Sequence, residues 1–210
     1  MPRVDSMASL FPMFAKLAGC KCLVVGGGLI AEGKVEGLLS CQATVVLVEP
    51  EVTEKIARWH DQGRLYWHPR RFQPSDLEGA FLVVAATGVA TVSESVFREA
   101  EARGILCNAV DEPERCHFYY PAIVRRGPLQ IEISTRGLSP ALASRLRAEL
   151  EAQFGPEYER WLQKLGAMRR ALFAKRIDPR RRTRVLQLLA SHRSFERFLR
   201  LEKRRTGGSA

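Results

Sequence analysis

The chain has 210 residues, 46% of them hydrophobic, and a formal net charge of +10. This length and composition suit one α/β domain with a smaller attachment and argue against a disordered chain. No apolar stretch approaches the roughly 18 residues of a membrane span, and the N-terminus lacks a secretory signal pattern, so we expect a cytoplasmic protein that makes no membrane contact.

The first two-thirds of the chain alternate short apolar runs with amphipathic segments. The predicted strands are Lys21–Val25, Ala43–Val48, Leu65–His68, Phe81–Ala86 and Ile105–Val110, and the predicted helices are Leu29–Leu39, Glu51–Asp61 and Ala90–Arg103. Strand–helix alternation of this kind predicts a doubly wound parallel sheet of the Rossmann type, an α/β fold. We assign this domain to residues 1–113.

The pattern changes after residue 113. Phe118–Val124 and Leu129–Ser134 are predicted strands, and Ser139-Pro140 is a strong helix start because a hydroxyl cap precedes proline in the first turn. We therefore predict a small α+β region at 114–153, with its helix ending near Gln153. Residues 154–210 are predicted to form a helical C-terminal domain with helices Glu157–Ala174, Pro179–Ala190 and Ser194–Lys203, and the basic tail from Arg204 is expected to fray.

The positive charge is concentrated in the C-terminal third, where residues 156–210 contain 16 Lys and Arg but 5 Asp and Glu. Such a segment is a solvated helical face, a nucleic-acid-binding surface or a surface that attracts a polyanionic small molecule. No helix-turn-helix or zinc signature supports nucleic acid. The five cysteines and four histidines show no disulfide framework and no ligand spacing, so no metal site is predicted.

A glycine turn, Gly26-x-Gly28-x-x-Ala31, joins the first predicted strand to the first predicted helix. The first glycine permits a tight turn, the second allows a pyrophosphate to approach the backbone, and the small Ala31 lets the helix pack closely on the strand. The phosphates would lie at the helix N-terminus, where amide groups and the helix dipole favour anions. We assign dinucleotide binding to Gly26, Gly27, Gly28, Leu29 and Ile30.

Two further positions agree with a dinucleotide site. Glu49 ends the second predicted strand, where a carboxylate accepts hydrogen bonds from ribose hydroxyls and repels a 2′-phosphate, so NAD is favoured over NADP. Thr87 follows the fourth predicted strand, at the edge of the sheet where ligands of open parallel sheets bind, and is predicted to line the cofactor. The alternatives are a solvated strand end for Glu49 and a plain turn for Thr87.

Several separate motifs then support a family resemblance. They are Gly26-Gly27-Gly28-x-x-Ala31-x-x-Lys34, Ala85-Ala86-Thr87, Asn108-Ala-Val-Asp111, Phe118-x-x-Pro121-Ala122, Pro128-Leu129 and Ile133-Ser134-Thr135-x-Gly137-x-Ser139-Pro140. Their order and spacing over residues 8–153 resemble the precorrin-2 dehydrogenases, which form the N-terminal module of siroheme synthases. The resemblance implies NAD-dependent oxidation of precorrin-2 to sirohydrochlorin, a homodimer that exchanges elements through residues 114–153, and, in some relatives, insertion of Fe²⁺ or Co²⁺.

The resemblance also implies that Asp111 is essential. Loss of a hydride from a reduced tetrapyrrole leaves a cation that must lose a proton, and a carboxylate can accept that proton or stabilise the cation. Asn108 opens the same motif and is assigned to the cofactor. The alternative for Asp111 is a residue that merely forms an Asp-Glu-Pro turn.

The polycarboxylate substrate predicts guanidinium partners. Arg125, Arg126, Arg145 and Arg147 lie near the expected site, and we assign Thr135, Arg136, His117 and Arg145 to substrate binding. Thr135 stands where the family often has serine, and Arg136 where it usually has glycine. A surface role for each arginine and a packed or exposed His117 are the alternatives.

Two other functions remain open. The chain could be a regulatory module that binds NAD without catalysis, which would not need Asp111, or a chelatase whose NAD site is vestigial. A short-chain dehydrogenase is excluded because no tyrosine has a lysine four residues after it.

Overall fold

The computed structural model describes residues 9–206. The chain forms two compact units, the first ending at Tyr120 and the second beginning at Pro121. In the first unit the elements are β1 (Lys21–Val25), α1 (Leu29–Ser40), β2 (Thr44–Val48), α2 (Glu54–Asp61), β3 (Tyr66–His68), β4 (Leu82–Ala85), α3 (Ala90–Ala102) and β5 (Leu106–Ala109). Short 3-10 helices lie at Pro74–Leu77 and Pro113–Arg115.

The five strands of the first unit form one parallel sheet in the order β3-β2-β1-β4-β5. The chain builds outward from β1 through β2 to β3, then returns to place β4 on the other side of β1. This reversal creates a crevice beyond the carboxyl ends of β1 and β4, where open α/β sheets bind their ligands. The predicted doubly wound parallel sheet is confirmed.

Apolar layers cover both faces of this sheet. On one face Val24 and Leu47 pack with Val35 of α1 and Ile56 of α2, and each of these four side chains is fully buried. On the other face the strands pack against α3. Because both faces are covered, the central strands are continuous apolar runs rather than alternating ones.

The second unit contains an antiparallel pair and four helices. They are β6 (Ala122–Arg126), β7 (Leu129–Ile133), α4 (Pro140–Gln153), α5 (Glu157–Ala174), α6 (Pro179–Leu189) and α7 (His192–Thr206). The Ser139 hydroxyl accepts a hydrogen bond from the Leu142 amide at 3.2 Å, which confirms the predicted helix start. Trp161, Phe195 and Phe198 form a small aromatic core between α5 and α7.

Several element boundaries differ from prediction, and three of them differ by three residues or more. Helix α2 begins at Glu54, not Glu51, because the Thr53 hydroxyl caps it by accepting from the Ile56 amide. The strand predicted from Phe118 begins only at Ala122, after Pro121, a residue without an amide donor. Helix α7 continues to Thr206 instead of fraying from Arg204. The division at residues 113 and 153 stays a prediction.

Within residues 9–206, no helix is both long enough and apolar enough to cross a lipid bilayer.

Candidate active site

Two glycines of the turn after β1 are required by the protein's own packing. Gly26 has φ +123°, and a Cβ there would overlap the carbonyl oxygen of Ala86 after β4. A Cβ at Gly27 would overlap the carbonyl oxygen of Glu51. The turn is therefore held tightly between the segments that follow β2 and β4.

Gly28 differs from its two neighbours, because no atom of residues 9–206, apart from those of the residues adjacent to it in the chain, lies within 4 Å of the position a Cβ would take. Its φ of −83° is open to any residue, so neither packing nor backbone conformation demands glycine here. The adjacent Leu29 and Ile30 are exposed by 78% and 53%. A pyrophosphate needs this kind of space beside the backbone.

The N-terminus of α1 faces the same space. Gly28 caps the helix without a side chain, and Glu32 is the first residue whose amide donates within the helix, to the Gly28 carbonyl at 3.1 Å. The preceding amides have no intrahelical acceptor, and with the helix dipole they favour an anion. The residues at positions 26–30 thus fit a dinucleotide.

Glu49 lies against the turn at the end of β2. The Trp67 indole donates to the Glu49 carbonyl at 2.8 Å, and a Cβ at Gly27 would lie 3.1 Å from Glu49 Cγ. Burial raises the pKa of Glu49, the nearby Arg71 opposes this shift and Glu51 adds to it. The structure therefore brings a partly buried carboxyl group beside the glycine turn.

Thr87 occupies the loop after β4, beside the same turn. Its hydroxyl accepts a hydrogen bond from the Val89 amide at 3.3 Å, and the residue is half-buried. The hydroxyl hydrogen remains able to donate to a ligand.

Asn108, on β5, has a structural role that the sequence did not reveal. Its side-chain amide donates to the Phe118 carbonyl at 2.8 Å and to the Cys116 sulfur at 3.4 Å, and the residue is only 6% exposed. These bonds tie the segment after the 3-10 helix to β5. The assignment of Asn108 to the cofactor stays a prediction.

Asp111 follows β5 and lies at the same sheet edge as Gly28 and Thr87. The Val110 amide donates to the Ala85 carbonyl at 2.9 Å, so the pairing of β4 and β5 continues up to the residue before it. Asp111 has φ +62° and an exposed side chain. A non-glycine residue in this conformation costs about 1 kcal/mol, and such strain concentrates at functional sites.

Lys34 of α1 was not assigned a role by the sequence, although it belongs to the first motif. Its ammonium lies 3.6 Å from the centroid of the Tyr120 ring. Burial lowers the pKa of Lys34, while the nearby Asp111 and Cys116 raise it. Only tertiary structure shows this neighbourhood, since the groups are far apart in sequence.

His117 is held by packing. Its Nδ1 accepts from the Cys107 amide at 3.0 Å, and its ring stacks on Phe97 of α3 with centroids 5.3 Å apart. These contacts account for the residue without a substrate, so its substrate-binding role stays a prediction without geometric support.

The remaining predicted substrate residues lie in the second unit. The Thr135 hydroxyl donates to the Ser139 carbonyl and accepts from the Ser139 amide, which closes the loop before α4. Arg136 has φ +56°, the conformation that explains why glycine is usual at this position. Arg145 is exposed and pairs with Glu149 at 2.7 Å.

Two other arginines that the sequence analysis placed near the expected site are used within the second unit. Arg126 donates to the carbonyls of Glu151 and Phe154 and so caps the C-terminal end of α4. Arg147 pairs with Glu151 at 2.8 Å. Arg126 is thus a structural residue rather than a group available to substrate.

The fold and the glycine turn define a class of protein, and comparison with known families agrees. A model for NAD(P)-binding domains matches residues 13–122, just over half of the chain, and the chain belongs to this family of NAD(P)-binding Rossmann proteins. A second model, for the central region of sirohaem biosynthesis proteins, matches residues 126–153. The cofactor is therefore a nicotinamide dinucleotide.

Particular relatives narrow the comparison. The siroheme synthase of Methylobacillus flagellatus is 44% identical over 149 residues, covering 71% of this chain and 32% of the relative. That of Chromobacterium violaceum is 40% identical over 174 residues, covering 82% and 37%. The chain thus spans about a third of the length of these relatives. The structure of SirC, a precorrin-2 dehydrogenase, is similar with a TM-score of 0.76 and 27% identity, covering 87% of this chain and 90% of SirC.

Proposed function

We propose that the chain is an NAD-dependent dehydrogenase that oxidises precorrin-2 to sirohydrochlorin in siroheme biosynthesis. The observation that carries this proposal is the exposed Asp111 carboxyl group at the sheet edge where Gly28 leaves space for a dinucleotide. The similarity to SirC supports the same reaction because it extends over most of both chains.

The reaction removes one hydride and one proton from the substrate. Bound NAD⁺ supplies the hydride acceptor. Asp111 then accepts the proton that the resulting tetrapyrrole cation loses, and its negative charge stabilises that cation as it forms. An exposed carboxylate beyond the sheet can reach a large substrate without rearrangement of the core.

The backbone amides at the start of α1 bind the pyrophosphate, and Thr87 lines the same crevice. Glu49 accepts hydrogen bonds from the ribose hydroxyls. The carboxylates of the substrate pair with exposed cations, including Arg136 and Arg145. The Arg145–Glu149 pair is exposed, so exchanging Glu149 for a substrate carboxylate costs little.

An anaerobic assay with purified protein, precorrin-2 and NAD⁺ tests the reaction. We expect one NADH for each sirohydrochlorin formed. Asp111→Asn should lower kcat by a factor of about 10² or more, as expected for loss of a proton acceptor, with an unchanged Kd for NAD⁺. NAD⁺ binding without NADH, with active substrate proven by a second dehydrogenase, would instead identify a regulatory module.

Metal insertion is tested separately with sirohydrochlorin and Fe²⁺ or Co²⁺. Within residues 9–206 no cluster of His, Cys, Asp and Glu side chains is arranged to hold a metal ion, so an inserted metal would be a substrate held by the tetrapyrrole. Insertion without NADH formation in the first assay would favour a chelatase with a vestigial cofactor site.

The choice of NAD over NADP is tested at Glu49. We expect a lower KM for NAD⁺ than for NADP⁺, and Glu49→Gln should narrow the difference by removing the charge that repels a 2′-phosphate. Because burial raises the pKa of Glu49, its carboxyl group takes up a proton at higher pH than an ordinary glutamate. As the pH falls, NAD⁺ affinity should therefore begin to weaken at a higher pH than it would with an ordinary glutamate. E49Q should abolish this pH dependence.

We also propose a homodimer formed through the second unit. A two-stranded sheet is marginal by itself, and in β6–β7 only Val124 is buried. Leu138 is 87% exposed in the neighbouring loop. Sedimentation equilibrium should give twice the chain mass, and Leu138→Glu should weaken the association.

A further inference from the structure

The backbone reverses direction at Asp111. The Glu112 amide donates to the Ala109 carbonyl at 3.2 Å, so residues 109–112 form a β-turn in which Asp111 is the third residue. Asp111 has φ +62°, and a positive φ at this place, as in a type II turn, usually belongs to glycine or asparagine. Because an aspartate does not favour this conformation, contacts with other residues must hold it.

The segment that follows the turn runs back beside β5. Cys116 lies opposite Asn108 in an isolated antiparallel β-bridge, and the His117 amide donates to the Cys107 carbonyl at 2.7 Å. The loop that contains Asp111 is therefore anchored on β5 at both of its ends.

The Cys116 thiol connects the two ends of the Asp111 turn. Its sulfur lies 3.1 Å from the carbonyl oxygen of Ala109, the first residue of the turn, and 3.3 Å from that of Glu112, the last. Cys116 is only 7% exposed, and burial raises the pKa of its thiol. The sulfur therefore keeps its proton near pH 7 and donates it to these carbonyl groups, which limits how far the turn can move.

Asn108 fixes the Cys116 sulfur in turn. Its side-chain nitrogen lies 3.4 Å from Cys116 Sγ and 2.8 Å from the carbonyl oxygen of Phe118. The amide carries two hydrogens, so it can make both bonds at once. Asn108 is 6% exposed and belongs to β5. The pair of Asn108 and Cys116 thus joins the parallel sheet to the turn that contains Asp111.

The carboxyl group of Asp111 depends on this backbone for its position. It is exposed, and it makes no hydrogen bond or salt bridge with another residue within the described range 9–206. A side chain without such a partner is placed by its own Cα and rotamer alone. A shift of the turn therefore displaces the carboxyl group directly.

We propose that Asn108 and Cys116 are positioning residues for the dehydrogenase reaction, because their buried hydrogen bonds hold the turn from which Asp111 meets the substrate. This inference rests on the proposed function. After hydride transfer to NAD⁺, a substrate C–H or N–H bond breaks, its electron pair stays in the tetrapyrrole, and the new O–H bond forms on Asp111. The Cys116 thiol keeps its own proton throughout.

Steady-state kinetics with precorrin-2 and NAD⁺ test this role. Cys116→Ala removes the donor and should lower kcat about tenfold, because a small displacement of a reacting group is costly, with KM for precorrin-2 and Kd for NAD⁺ unchanged. Cys116→Ser keeps a donor at the same place and should restore most of kcat. Cys107→Ala is the matched control: this cysteine of β5 is fully buried in the apolar core against α3, and its loss should leave kcat unchanged.

A double-mutant cycle with Asp111→Asn tests whether the pair acts through Asp111. Cys116→Ala should lower the residual rate of the Asp111→Asn protein less than twofold, because the group that it positions is already lost. High enzyme concentration makes this residual rate measurable. Circular dichroism identifies the folded variants. If Cys116→Ala does not fold, Asn108→Ser leaves the thiol in place and should give the same pattern.

The inference is overturned if the folded variants keep the wild-type kcat. It is equally overturned if Cys116→Ala lowers the rate by the same factor with and without the Asp111 carboxyl group, which would indicate a general structural effect. A raised Kd for NAD⁺ in Asn108→Ser would make Asn108 a cofactor contact instead. Failure of the wild-type protein to form NADH is a different result, since it rejects the proposed reaction itself.

Discussion

Gly26 and Gly28 stand two residues apart in one turn, yet they lack a side chain for different reasons. At Gly26 the backbone conformation and the nearby Ala86 carbonyl exclude a Cβ. At Gly28 the protein leaves open space. A motif shows that both glycines are present, but only the structure shows which one leaves space for a ligand.

Alanine substitutions should separate these two roles. Gly28→Ala should leave the free energy of unfolding nearly unchanged and weaken NAD⁺ binding by about tenfold or more, because the methyl group occupies the pyrophosphate space. Gly26→Ala should lower the free energy of unfolding by more than 1 kcal/mol through strain at positive φ and overlap with backbone. Urea unfolding and calorimetric titration measure the two effects. Unchanged NAD⁺ affinity in folded G28A would contradict the assignment.

Asp111 and Arg136 show how a sequence position can indicate backbone conformation. Both have left-handed φ, at +62° and +56°. Arg136 stands where the family usually has glycine, the residue that adopts this left-handed conformation most easily. For Asp111 the sequence left open a turn-forming role, and the observed geometry combines a turn with an exposed carboxyl group.

Among the elements, the segment between β3 and β4 was not predicted. The Asp76 carboxylate accepts from Arg70 at 2.9 and 2.5 Å and from the Gln73 amide at 2.8 Å. Leu77 of the same 3-10 helix is fully buried in the core. This segment also contains Arg71, which lies near Glu49, so its order matters for the nucleotide site.

Asp76 should make the stability of this element dependent on acid. Burial alone would raise the pKa of Asp76, but the hydrogen bonds from Arg70 and Gln73 hold it below its ordinary value of 3.8. Because the pKa of Asp76 is lower in the folded than in the unfolded protein, the ionised carboxylate stabilises the fold at every pH above the unfolded-state pKa. This contribution is lost as the pH falls through the folded-state pKa. Asp76→Asn should cost about 2 kcal/mol at pH 7, and the cost should shrink progressively as the pH falls below the ordinary carboxyl range. Urea unfolding of both proteins over a series of acid pH values measures the difference, and a cost that does not change with pH would contradict it.

Elements of the second unit illustrate what local patterns can predict. Ser139-Pro140 predicted the start of α4, and α5 has the predicted bounds, because caps and breakers act within a few residues. Arg126 had been grouped with possible substrate arginines. Its contacts with Glu151 and Phe154 join residues about 25 positions apart, which no local pattern encodes.

At the scale of the whole molecule, positive charge is unevenly distributed along the chain and is concentrated in the C-terminal third. Helix α6 contains Arg180, Arg181 and Arg184 on its exposed surface, and none of its residues is buried. A positive surface of this kind attracts a polycarboxylate and accelerates its association. The sequence analysis considered a solvated helical face and a surface that attracts a polyanion as alternatives. Helix α6 is compatible with both, since its arginines are exposed to solvent and positively charged.

Raising the salt concentration and replacing the exposed arginines should each reveal this attraction. For precorrin-2, kcat/KM should fall as ionic strength rises, because salt screens exposed charges. The triple variant R180Q/R181Q/R184Q should lower kcat/KM about three- to tenfold at low salt and flatten the salt dependence, with kcat unchanged. A control with Arg58, Arg64 and Arg98 changed to Gln removes the same charge from the first unit. Equal effects of the two triple variants would indicate a general charge effect instead of a binding surface.

The sequence by itself determined the order of the elements, the parallel sheet and the nucleotide turn. These features depend on hydrophobic period, caps and glycines over short stretches of chain, and such signals survive without knowledge of distant residues. The motifs from Asn108 to Pro140 also indicated the reaction class, through resemblance to a family.

Tertiary structure alone decided what each polar group touches. Asn108 donates to Phe118, and His117 stacks on Phe97. Lys34 of α1 meets the Tyr120 ring only after α1 and the segment that follows β5 have come together in the fold. The physical reason is that hydrogen bonds and Coulomb interactions depend on distances of a few ångströms in space. Separation along the chain does not specify those distances until the core has brought the strands together.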